Sequence, residues 1–85
     1  MFEYKSKGTC STKILFDVEG NKLKNVQFIN GCPGNLLGIS QLVDGLTIEA
    51  VIEKFDGISC GGRPTSCPDQ LAAALKKWKK DQETL

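Results

Sequence analysis

Four cysteines, Cys10, Cys32, Cys60 and Cys67, stand out in this chain of 85 residues. They are separated by 21, 27 and 6 residues and include no C-x-x-C pair. Ligand pairs of common structural zinc sites lie two to four residues apart, so linear spacing alone argues weakly for a metal. The surroundings of each cysteine argue more strongly. Cys32 and Cys67 each precede a proline, Pro33 and Pro68, of the kind that opens a helix. At such a place the helix dipole and unsatisfied backbone N–H groups favour a thiolate. Cys60 begins the run Cys60-Gly61-Gly62-Arg63, where bare backbone amides can approach a sulfur anion. Four thiolates on a divalent ion leave a net negative site, which Arg63 and the amides of Gly34, Gly61 and Gly62 would compensate. The expectation is one site of converging thiolates, holding a metal ion through three or four of the cysteines. Stable disulfides, thiols packed as small core residues, and a dithiol exchanging with another protein are the competing readings. Asp69 beside Cys67 is either a supplementary ligand or, as is commoner, an acidic residue placed where it favours the helix dipole.

Composition narrows the chemistry. There is no histidine, which removes the commonest general base and the commonest neutral metal ligand. Any metal site must then be built on sulfur, which suits zinc or an iron–sulfur centre. A cysteine nucleophile would lack its usual base partner, and no phosphate-cradling glycine motif is present. Net charge is +1 from 11 basic and 10 acidic side chains, a balance with no general pull toward nucleic acid or membrane. No long apolar run or signal-like segment occurs, so a cytoplasmic, reducing setting is expected, and there thiols bind metals rather than pair.

The elements that must bring the cysteines together can be read from periodicity. Ile14, Phe16 and Val18 alternate with polar residues across 12–19, a half-buried strand, and Phe2–Lys7 is a candidate edge strand. Gly20-Asn21-Lys22 has turn chemistry, and a second strand over Leu23–Asn30 carries Val26 and Phe28 on one face. A three-residue loop pairs Phe16 with Val26 and Ile14 with Phe28, whereas a two-residue loop mixes apolar with polar. Continued outward, that register sets Thr12 against Asn30 and Cys10 against Cys32. Helices are expected from Pro33 to about Val43, stopped by Gly45, and from an N-cap at Thr47 through Phe55, stopped by Gly57. A third starts at Pro68 with Cys67 as its N-cap and buries Leu71, Leu75 and Trp78. The run Lys76-Lys77-Trp78-Lys79-Lys80 invites a nucleic-acid reading. Trp78 lies on the apolar stripe, however, and cations are favoured near a helix C-terminus, so nucleic acid is not an expected partner. The fold class is α+β: residues 1–85 as one domain, an antiparallel two- or three-stranded sheet packed with about three helices.

The stretch Thr65-Ser66-Cys67-Pro68-Asp69 reads TSCPD. With Cys60-Gly61-Gly62-Arg63 and Asn30-Gly31-Cys32-Pro33-Gly34 it resembles the TSCPD domain family, in its stand-alone four-cysteine branch, over nearly the whole chain. Related domains form the C-terminal part of many adenosylcobalamin-dependent ribonucleotide reductases. The resemblance therefore implies an accessory role in deoxyribonucleotide synthesis, with a reductase as partner. The chain has none of that enzyme's barrel, radical-site cysteine or cobalamin-binding parts, and independent catalysis is not expected. The order of cysteine, hairpin, G-C-x-G, two helices, cysteine and amphipathic helix is also similar to iron–sulfur cluster scaffold proteins. That likeness matches Cys10, Cys32 and Cys67 to the scaffold's three ligands. Cys60 is extra, and Ser66 stands where the scaffold has a histidine, departures that favour a closed all-sulfur site.

Overall fold

Alternation in the first half of the chain and helical periodicity in the second produce three strands followed by three helices. The computed structural model describes residues 2–6, 8, 11–31, 33–58 and 65–83. Strands β1 (Phe2–Lys5), β2 (Lys13–Glu19) and β3 (Lys22–Ile29) form an antiparallel sheet in the order β1-β2-β3. Helices α1 (Pro33–Val43), α2 (Ile48–Phe55) and α3 (Cys67–Glu83) follow. This is the expected α+β class, with the third strand present. Among the described residues no helix is long and apolar enough to cross a membrane.

The hairpin corrects one expectation. Glu19 pairs with Lys22, so the loop has two residues, Gly20 and Asn21, not three. Gly20, at φ 65°, occupies a left-handed turn position that glycine adopts without strain. The apolar faces still match, because a bulge lies between the Leu15–Gln27 pair and the Asp17–Lys24 pair. Asn25 and Val26 together oppose Phe16 there, and Asn25 takes φ 53°. One extra residue reverses the parity of β3. Leu23 and Val26, three residues apart, are therefore both buried, while Ile14 pairs with Phe28 as the apolar pattern requires. Asn25 is held by its N–H to Asp44 Oδ1 and by its side-chain amide to Asp17 Oδ2, each at 3.1 Å. A β-branched residue is strained at positive φ. Asn25→Val is expected to destabilise the fold by about 2 kcal/mol, read as a lower urea midpoint with unchanged slope.

The core forms where the sheet meets the helices. Ile14, Phe16, Leu23 and Val26 from the sheet pack with Val43, Ile48, Val51, Leu71, Ala74 and Leu75 from the helices. Trp78 is partly buried against this cluster and meets the Phe2 ring edge-on at 6.1 Å between centroids. That packing agrees with its place on the apolar stripe. Of the neighbouring cations, Lys76 pairs with Asp56 at 2.7 Å and Lys77 with Asp81 at 3.7 Å. Thr47 caps α2 by accepting the Ala50 N–H at 3.2 Å. Gly45 and Gly57, at φ 85° and 86°, follow the ends of α1 and α2, the left-handed stop that glycine supplies.

Candidate metal centre

At the open end of the hairpin the backbone pairing continues past the last paired strand residues. The Thr12 N–H donates to Ile29 O at 2.8 Å, and the Asn30 side-chain amide donates to Thr12 Oγ1 at 3.0 Å. Thr12 is therefore held at the end of β3 by its backbone bond to Ile29 and its side-chain contact with Asn30, the residue that the register argument set against it. Just before Thr12 lies Ser11, which is almost fully buried at 2% exposure. Its carbonyl accepts from Ser6 Oγ at 2.6 Å. Its own hydroxyl lies 3.2 Å from Cys67 Sγ, a hydrogen-bonding contact across 56 residues of sequence. The start of α3 is thereby seated against the open end of the β2–β3 hairpin, with Ser11 directly following Cys10 in the chain and Asn30 two residues before Cys32.

The start of α3 differs from expectation by one residue. Ser66, not Cys67, is the N-cap: its hydroxyl accepts the Asp69 N–H at 3.1 Å, and its carbonyl accepts the Gln70 N–H at 2.8 Å. A serine hydroxyl reaches the third helical amide in the ordinary N-cap geometry. Cys67 is consequently the first residue of the helix and Pro68, which has no N–H, the second. The Ser66-x-x-Asp69 spacing is itself a capping signal, and it was legible in the sequence. Ser11 had no such signal, because nothing local marks a polar residue beyond a strand end as buried.

Asp69 has a structural task. Its Oδ1 accepts the Gly57 N–H at 2.7 Å, and its Oδ2 accepts the hydroxyl of Thr65. The bond from Thr65, then that from Gly57, holds its carboxyl below the usual carboxylate range. Ser66 Oγ also donates to Ile58 O at 2.7 Å. Gly57 and Ile58 on one side and Thr65 and Ser66 on the other are thus tied together. These ties join the described residues on either side of positions 59–64, which include Cys60, Gly61, Gly62 and Arg63 and lie outside the described residues.

Of the candidate site residues, Cys67, Gly34 and Asp69 are described; Cys10, Cys32, Cys60, Gly61, Gly62 and Arg63 lie outside the described residues. Gly34 is exposed in the first turn of α1, and a Cβ there would meet nothing within 4 Å. Among the described residues no group of three or more cysteine or carboxylate side chains could hold a metal.

The TSCPD domain family model matches residues 2–79. The chain belongs to the TSCPD domain family. No curated protein and no solved structure matches it. The five residues of this TSCPD domain that spell the family's name all take part at the same helix start. Thr65 donates to Asp69, Ser66 caps the helix, Cys67 meets Ser11, Pro68 occupies the first turn and Asp69 reaches back to Gly57.

Proposed function

We propose that this TSCPD domain is a metal-binding accessory module in which the thiolates of Cys10, Cys32, Cys60 and Cys67 hold one ion, with zinc favoured over an iron–sulfur centre. The observation that carries the reading is the Ser11–Cys67 contact at 3.2 Å. It seats the residue after Cys10 against Cys67, at the hairpin end from which the chain continues to Cys32. The ties of Gly57 to Asp69 and of Ile58 to Ser66 support the inclusion of Cys60, which lies between these two described stretches in the sequence. A donor set with sulfur and no imidazole suits zinc. Bound there, zinc would supply cross-linking of the hairpin to α3, a staple that a domain with so thin a core can use. Ser11 would donate its hydroxyl hydrogen to the Cys67 sulfur and so orient and stabilise the thiolate. The accessory role in deoxyribonucleotide synthesis, with a reductase as partner protein in the cytoplasm, rests on the family resemblance alone.

Metal analysis of protein purified without oxygen tests the reading. One equivalent of zinc is the expected result. Iron with sulfide and visible absorbance would replace zinc with the iron–sulfur alternative. Metal-free protein with an equilibrating disulfide would replace both with a thiol redox role. Cys10→Ser is expected to lower metal content and melting temperature together, and unchanged metal content would remove Cys10 from the site.

A further inference from the structure

Three positions along this chain set an Asn or Asp side chain directly before a glycine: Asn30-Gly31, Asp44-Gly45 and Asp56-Gly57. In each, the side-chain Cγ lies within ring-closing reach of the glycine main-chain nitrogen, and no Cβ on the glycine crowds the attack. The structure separates the three. The Gly45 N–H is bonded to Leu23 O and the Gly57 N–H to Asp69 Oδ1, both at 2.7 Å. A nitrogen held in this way must give up its hydrogen bond before it can attack. At Gly31 none of the described residues accepts the N–H. Asn30 and Gly31 are both exposed, at φ 63° and 105°. The asparagine thus sits in the sparsely populated left-handed region, and rotation out of it gives up little. One tie restrains it: the Asn30 amide donates to Thr12 Oγ1 at 3.0 Å, while the Thr12 hydroxyl donates to Ile29 O at 3.3 Å.

We propose that Asn30-Gly31 is a site of spontaneous deamidation in the folded protein, paced by the bond from Asn30 to Thr12. Hydroxide removes the Gly31 amide proton, and the nitrogen attacks Asn30 Cγ. A C–N bond forms and closes a five-membered succinimide. The bond from Cγ to Nδ2 breaks, and Nδ2 leaves as ammonia with a proton taken from water, which restores the hydroxide. Water then opens the ring at either carbonyl. Opening at Cγ leaves aspartate. Opening at the main-chain carbon leaves isoaspartate, with the chain running through the side-chain methylene. Ammonia is lost and water gained, nothing is oxidised or reduced, and the mass rises by about 1 Da. The product carries a carboxylate, which accepts but does not donate, where the amide donated to Thr12. Thr12 Oγ1 loses its donor, and the tie across the hairpin's open end is weakened. No step requires a metal.

The test incubates the full chain as purified, under reducing conditions at neutral pH, both folded and unfolded in urea. Peptide mapping by mass spectrometry follows ammonia loss at Asn30 and isoaspartate at Asp44 and Asp56. Asn30 in the folded chain should react within about tenfold of its rate in urea, since one exposed neutral hydrogen bond restrains it by no more. Isoaspartate at Asp44 and Asp56 should form only in the unfolded chain. Thr12→Val keeps the shape of the side chain but removes the hydroxyl, and should speed the folded reaction about two- to tenfold. Thr12→Ser keeps the hydroxyl and should leave the rate as it is. Asn30 that stays intact in the folded chain while it reacts in urea would overturn the proposal. So would a rate that Thr12→Val leaves unchanged, or isoaspartate at Asp44 or Asp56 forming equally fast in the folded and unfolded chains.

Discussion

Asp69→Asn is expected to lower the melting temperature by about 10 °C, corresponding to about 2 kcal/mol in a domain of this size. The substitution keeps shape and one acceptor oxygen. It loses the charge that strengthens the bonds from the Gly57 N–H and the Thr65 hydroxyl, and it places an amide N–H₂ where one of those donors points. The sign of the pH dependence follows from the lowered pKa of Asp69. A carboxyl whose folded pKa is depressed contributes stability above its unfolded pKa and loses it as pH falls through the folded value. The wild-type chain should therefore lose stability on acidification below the usual carboxylate range more steeply than Asp69→Asn does. Melting curves of the chelated protein at several pH values check this without interference from metal. Parallel pH profiles for the two proteins would mean that the clamp contributes nothing. Asp17, lowered by its bond from Asn25, titrates in the same direction but is present in both proteins.

On the proposed zinc reading, removing the metal is expected to have the larger effect. A ligand that binds only the folded state stabilises it by about 4 kcal/mol when present at a thousandfold excess over Kd, which is about 20 °C here. Chelation should lower the melting temperature by that amount, and Cys67→Ser should abolish the difference between chelated and zinc-loaded protein. Ser11→Ala is the finer probe. It leaves every cysteine in place and removes the hydroxyl that lies 3.2 Å from the Cys67 sulfur. Zinc affinity, measured by competition with a chelating dye, should fall about 10- to 100-fold. An unchanged affinity would show that the Ser11–Cys67 contact serves packing alone.

Much of this protein could be read from short-range pattern. The alternation of Ile14, Phe16 and Val18, the cap at Thr47, the stops at Gly45 and Gly57 and the stripe of Leu71 and Leu75 each depend on neighbours within a turn or a few strand residues. Those signals sufficed for the α+β class and for the extent of every element to within a few residues. The hairpin register was recovered through the wrong loop. A two-residue turn with a bulge at Asn25 and Val26 and a three-residue turn without one give the same pairing of Ile14 with Phe28. Only the path of the folded backbone separates these solutions, because apolar matching constrains the sum of the offsets and not where the extra residue sits.

The cysteines divide in the same way. The motifs Thr65–Asp69, Cys60–Arg63 and Asn30–Gly34 were sufficient, on sequence alone, to name the family to which the chain belongs, and the cysteine types, their prolines and the absence of histidine led to the sulfur site proposed above. Tertiary structure decided that Asp69 clamps Gly57 to Thr65. It also decided that Ser11 meets Cys67. The contact between Ser11 and Cys67 spans 56 residues. It exists because burial of Ile14 and Leu71 in one core draws the hairpin's open end onto the start of α3. No periodicity within either segment carries that information.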